Sequence, residues 1–271
     1  MNNAIVDLSL SDLALAYTLI LVSLALSRWQ RIGRERQLLW ASFRMVAQLL
    51  AVGYVLHLVF AIPHPGAILL ILLVMLGFAM QVIGERVKDR MPRFYRIIGG
   101  SLLVGCGAVT FILCIAIVGF TPWYDPQYLI PLAGMIIGNT MNAASLAAER
   151  LASEIRNRRE EIECWLCLGA TPRRACREAI REAFRAALIP STNTMAAMGI
   201  VAMPGMMTGQ ILSGIEPMIA VRYQIVIMCA IVGSVGVTSF LIVLLGYRGY
   251  FTQAKQLRPD PQQQRTDGNQ T

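Results

Sequence analysis

Long apolar runs separated by short charged stretches set the pattern of this chain. Seven runs approach the roughly 20 residues that cross about 30 Å of hydrocarbon as a helix. They lie near 9–27, 38–60, 66–84, 97–119, 128–148, 187–213 and 221–246. The third is short. The sixth is interrupted by Gly199, Pro204, Gly205 and Gly209, so one helix and a broken pair both remain open for it. The pattern predicts an all-α integral membrane protein with about seven transmembrane helices. Residues 1–247 are expected to form a single membrane domain. The polar, Pro/Gln-rich stretch 248–271 is expected to be an unstructured tail.

One charged segment breaks the oily pattern. Residues 149–186, between the fifth and sixth runs, read as a helix–turn–helix. Gly169 is placed to close the first helix, Thr171 to cap the second, and Pro172 to take its first position. In that second helix Ala175, Cys176, Ala179, Ile180, Ala183, Phe184 and Ala187 recur at spacings of one, three and four, which makes one apolar stripe. Two readings of the segment stand at this point. One is an amphipathic helix lying along lipid headgroups, and the other is a rigid knuckle that takes force from a soluble partner.

Composition supports the bilayer: 56% of residues are hydrophobic, 15% are charged, and mean hydropathy is +0.56. The net charge of +8 is spread over separate loops rather than gathered on one face, so no nucleic-acid partner is expected. That spread also orients the chain. Arg28, Arg31, Arg34 and Arg36 fill one loop, and Arg86, Lys88, Arg90, Arg93 and Arg96 fill another. Nine arginines lie from Arg150 to Arg185, and four bases follow from Arg248. The alternate loops "AIPHPG", "FTPWYDPQY" and "SGIEPM" have none. The N-terminus is therefore expected outside and the C-terminus in the cytoplasm, with the charged segment 149–186 cytoplasmic. No basic stretch precedes the first apolar run, which is expected to be a retained span rather than a removed secretory signal.

Glu163, Leu168, Gly169, Ala170, Thr171, Pro172, Ala175 and Ile180 spell "E…LGATP…A…I", which resembles the EAA-type coupling motif of ABC-transporter permeases. Further stretches, "IPLAGMIIGNTMNA" (130–143), "RAALIPSTNTMAAMGIVAMPGMMTGQILSGIEP" (185–217) and "RYQI" (222–225), resemble the FetB family, also called UPF0014. The resemblance covers essentially the whole chain. It implies an inner-membrane, multi-pass permease subunit that exports a metal ion, iron first. Plant members of the family are linked to aluminium tolerance and to nucleotide-sugar movement, which leaves a non-metal substrate as an alternative. It further implies a homodimer carrying two copies of a separate ATPase, docked on Glu163 and Leu168–Arg174, the stretch that includes Gly169, Ala170, Thr171, Pro172 and Arg173. Independently of the resemblance, the chain has no G-x-x-x-x-G-K-[ST] phosphate loop, so ATP with its Mg²⁺ would sit in the partner and no cofactor is expected in this chain.

Polar side chains inside spans mark either a pathway or interhelical hydrogen bonds. Gln48, Asn139, Asn142, Asn193 and Thr194 are the candidates. Met203, Met206 and Met207, with Met195 and Met198, cluster around the broken run; thioethers suit soft ions and also fill cores. Gly134 and Gly138 have the spacing of a close helix contact. No metal ligand set is named: His57 and His64 stand alone, and Cys164 and Cys167 form a C-x-x-C without a second pair. A secondary exchanger or a channel remains the alternative function, although all 16 acids sit in loops or at span ends, where none is placed to carry a coupled proton through the core.

Overall fold

A computed structural model describes residues 9–33, 35–61, 64–87, 93–119 and 122–258. The described residues are helical throughout, apart from turns and two isolated bridges. In chain order they form α1 (Leu10–Trp29), α2 (Glu35–Ala61), α3 (Pro65–Arg86), α4 (Phe94–Phe111), a π-helical continuation (Ile112–Val118), α5 (Pro126–Asn157), α6 (Arg159–Cys167), α7 (Pro172–Ala175), α8 (Arg177–Ala197), α9 (Gly205–Leu212), α10 (Pro217–Gly246) and a 3₁₀ turn (Tyr247–Tyr250). Part of the expected basic loop at 88–92 and the distal tail 259–271 lie outside the described residues.

Local chemistry sets several boundaries. Ser9 and Asp12 form a reciprocal capping box on α1. His64, between two prolines, accepts the Gly66 N–H at its Nδ1, 3.2 Å away, and so caps α3. Asp125 caps α5 through the Gln127 N–H at 2.9 Å, with Pro126 at the first helical position.

Six helices are long and apolar enough to cross a membrane: α1, α2, α3, α4 with its π-helical continuation, α5 and α10. The remaining expected span, 187–213, is divided. Its first part is the apolar end of α8 and its second is α9, with a non-helical segment between them. Gly199, at φ +88, occupies the left-handed region there, and Pro204 leads into α9. A backbone that must turn at those two residues cannot continue one ladder of helical hydrogen bonds.

The centre of the bundle is α5 and α10. α5 packs on α3, α8 and α10, and α10 on α4, α5 and α8. Small residues make this possible. α5 buries Ala144, Ala147 and Ala148 completely, and α8 answers with Ala183 and Ala187. α4 and α10 come so close at Gly105 that a Cβ there would collide with Thr238 Oγ1. Hydroxyls finish the seam: Thr140 and Ser234 share a hydrogen bond at 2.9 Å, and both are fully buried.

The chain end departs from expectation. Residues 248–258, assigned by composition to an unstructured tail, fold back on the bundle. Phe251 is buried, Leu257 packs against the same core, and Arg258 donates its N–H to the Tyr250 carbonyl at 2.9 Å. Two apolar side chains in a polar stretch are enough to anchor it, and averaging over the stretch hides them.

Candidate functional site

The charged segment is built as a projecting knuckle. α5 continues well past its apolar part, so its 32 residues reach about 48 Å. α6 follows and ends in a Schellman turn. The Gly169 N–H donates to the Leu166 carbonyl at 2.9 Å and the Ala170 N–H to the Trp165 carbonyl at 3.0 Å. Gly169 sits at φ +83, where an L side chain is strained, and nothing lies within 4 Å of where its Cβ would be. Thr171 then precedes α7 as its cap residue; its carbonyl accepts from Arg174 and Ala175, while its hydroxyl makes no capping bond. Pro172 takes the first position of α7, as its fixed φ favours.

The tip is apolar and basic at once. Leu168 is 81% exposed, the extreme among the large apolar side chains of this segment, and Trp165 stands open beside it. Arg173 and Arg174 are exposed, without an ion pair among the described residues. Beneath the tip, Cys176 and Ala179 of the predicted stripe are buried, with Ile180 and Phe184 packed on them. Burial pushes the Cys176 thiol up to about 12, which keeps it protonated and inert at neutral pH.

The base of the knuckle is braced by charge. Glu154, itself buried, holds Arg150 at 2.8 Å and Arg158 at 2.9 Å. The hydrogen bond that Arg158 donates to the Glu154 carboxylate raises the Arg158 pKa above its ordinary value. Glu163 pairs with Arg159 at 2.9 Å. Arg159 also donates to the Arg258 carbonyl at 2.9 Å, so the folded-back chain end ties onto the knuckle.

The candidate pathway residues fall into two groups. Asn139 and Asn142 stand on an exposed face of α5, and Asn193 and Thr194 on an exposed face of α8, the helix packed beside it. Asn142 accepts from Arg86 at 2.7 Å, Asn139 donates to the Met135 carbonyl at 2.8 Å, and the Thr194 hydroxyl donates to the Pro190 carbonyl at 2.9 Å. Met203 is exposed in the break after α8, while Met206 is packed against the core and Met207 is half-buried. Gln48 is not brought to this group. It stands exposed at the middle of α2, a helix that meets the rest through Leu56 and Val59 further along. Among the described residues, no three His, Cys, Asp or Glu side chains form a group able to hold a metal ion.

The family model for the Uncharacterised protein family (UPF0014) matches residues 10–251. The chain belongs to the UPF0014 family. UPF0014 membrane protein slr1647 of Synechocystis is 43% identical over 95% of this chain and 99% of its own length. UPF0014 membrane protein YjkA of Bacillus subtilis is 37% identical over 91% and 97%. The Escherichia coli protein named "Probable iron export permease protein FetB" is 32% identical over 91% and 93%. No solved structure matches. This UPF0014 chain is thus a helical membrane protein whose relatives include a named permease.

Sequence reasoning passed over Gln224. It lies within the quoted "RYQI", one turn from the start of a long apolar run, and nothing local marks it. In the fold Gln224 is 7% exposed on α10, its Nε2 donates to the Met198 sulfur at 3.8 Å, and its Oε1 is buried without a partner. A separate apolar cavity of about 210 Å³, lined by Leu72, Cys106, Cys114, Trp123 and Ala133, lies between α3, α4 and α5. None of the predicted pathway residues lines it.

Proposed function

We propose that this UPF0014 protein is the membrane permease subunit of an ABC transporter, powered by a separate ATPase bound at the Leu168–Arg174 knuckle. The feature that carries this reading is the Schellman turn at Gly169. It sets an exposed Leu168 and two unpaired arginines at the tip of a braced, projecting element. An element resting on headgroups would lay its apolar stripe toward lipid, whereas here that stripe is spent against the bundle and only the tip is offered. An apolar anchor ringed by guanidinium groups suits a protein cleft.

The transported species is a metal ion, with iron first because of the relative named an iron export permease. Two copies of the chain and two ATPases form the working unit, in the cell inner membrane with the knuckles in the cytoplasm. ATP-driven closure of the ATPases moves both knuckles. α5 and α8 carry that motion, because they flank the short helices of the knuckle, α6 and α7, and each continues into the bundle core. Asn139, Asn142, Asn193, Thr194 and the methionines beside them line the route, where neutral oxygen and sulfur donors would hold a cation weakly enough to release it.

The test is to purify the permease in mild detergent from its host membranes and assay whatever accompanies it for ATP hydrolysis. A stoichiometric ATPase is expected. Gly169→Trp should lose it while the chain still inserts. A lone permease, or an ATPase retained by Gly169→Trp, sinks the proposal and returns the secondary exchanger or channel.

A further inference from the structure

The knuckle is held to the bundle by more than its own helices. α5 and α6 meet at a single non-helical residue, Arg158. Beyond that junction α6 has little to fix it. Ile162 is buried and Leu166 packs on the core, and the principal helix neighbours of α6 are α5 and α7, to which it is joined. A short helix attached so sparsely swings about its junction unless something else sets its angle.

The chain end sets it. The 3₁₀ turn Tyr247–Tyr250 follows α10 without a linker, and Tyr247 and Phe251 are both buried. Residues 251–258 then close on themselves. Phe251 and Leu257 pair as an antiparallel bridge, and the Thr252 N–H donates to the Gln256 carbonyl at 2.8 Å. Lys255, at φ +60, makes the turn, and the Gln256 N–H donates to the Thr252 hydroxyl at 3.2 Å. Arg258 Nε donates to the Phe251 carbonyl at 3.3 Å and closes the mouth of the loop.

One side chain joins this loop to α6. Arg159 Nη1 donates to the Arg258 carbonyl at 2.9 Å, and Nη2 of the same guanidinium meets Glu163 Oε1 at 2.9 Å. The planar fork of an arginine holds two partners in a fixed relation, whereas a lysine is a point charge on a flexible stem. From α10 to Gly169 the path therefore runs through ordered backbone and hydrogen bonds, with no slack segment in it. Its ionic end stands partly in water, where such a pair adds little to stability. The link stabilises the fold weakly and positions the knuckle well.

We infer that residues 251–258 are a clasp between α10 and the knuckle, and that Arg159 is the positioning residue that closes it. α10 then follows the knuckle together with α5 and α8. The inference rests on the ABC reading above for what moves the knuckle; the clasp itself is tested without the ATPase.

The experiment is amide hydrogen exchange, read by mass spectrometry, on the full-length permease in lipid nanodiscs, first alone and then with the ATPase that co-purifies. Two variants open the clasp from opposite sides. Arg159→Met keeps the apolar stem and removes both bonds of the fork, and Leu257→Gln loosens the loop with Arg159 intact. In the permease alone, α6 is expected to exchange about tenfold faster in both, the change that loss of a hydrogen bond to a charged group implies. The α4–α5–α10 seam and the unfolding midpoint should not change, and Arg159→Lys should lie between. Unchanged α6 exchange in either opened variant overturns the clasp, which needs both halves. Acceleration that reaches the seam is general loosening and overturns it as well. In the complex, trapping the ATPase with ATP and vanadate is expected to shift exchange in α6 and in 247–258 together, and in Arg159→Met in α6 alone. A response of 247–258 that survives Arg159→Met overturns the coupling of α10. Absence of any ATPase from the unaltered chain removes the ABC reading and with it what drives α10, while α6 exchange in the permease alone still decides the clasp.

Discussion

The α4–α5–α10 seam and the α1–α2 hairpin are made of similarly oily helices, yet one is packed and the other bare. Of the apolar windows of α4, α5 and α10, 39%, 56% and 50% is buried inside the chain; for α1 and α2 the figure is zero. Mean hydropathy does not separate them, since α5 at 1.3 is the least apolar of the five and the most buried. Hydropathy reports transfer into the bilayer, where a leucine is equally content against lipid or protein. What separates the two regions is size and hydroxyl placement. The seam carries Gly105, Thr140, Ser234 and Thr238 at its contacts, whereas the hairpin presents Leu15, Leu19, Leu49 and Leu50 outward.

Gly105→Val is the strongest way to break this contrast. Its side chain would meet both Thr238 Oγ1 and the Thr238 backbone nitrogen, so the α4–α10 crossing must open. Overpacking of this kind costs about 3 kcal/mol. The monodisperse peak in fluorescence-detected size exclusion should be lost, while Gly107→Val on the same helix, which has open space, should keep it. A smaller change sharpens the same point. Ser234→Ala leaves Thr140 without its 2.9 Å partner, for a loss of about 0.6 kcal/mol, the usual scale for such bonds in membranes. A drop in midpoint temperature of about 1–2 °C in thermal unfolding checks it, and no drop would mean that the hydroxyls idle. Leu19→Ala on α1 is the smallest. At 71% exposure it should leave the single chain's unfolding midpoint unchanged, and a clear drop would show that α1 has a protein neighbour in the membrane.

Much of the knuckle was legible because its signals are local. Gly169, Thr171 and Pro172 each prescribe a backbone state within one turn, and the turn forms where they stand. Two other readings shifted. The charged segment is not separate from the fifth span, since α5 runs on to Asn157 and carries the bracing Glu154. The expected tail begins with a folded-back segment, because Phe251 and Leu257 find the core only once α10 has placed them beside it. Gln224 and Met198 were equally hidden, being 26 residues apart in sequence.

From its sequence alone this protein is a helical membrane protein with a penultimate apolar run interrupted by glycine and proline, and a charged helix–turn–helix with a glycine at its turn. Those properties follow from the transfer preference of runs and from the φ preferences of single residues, which act within about 20 positions. Only the tertiary structure decided which spans touch, that α5 and α10 form the core, and that the expected sixth span is divided between α8 and α9. In a bilayer no hydrophobic force sorts one apolar helix face from another, so the sorting is left to close fits between small residues far apart in the chain.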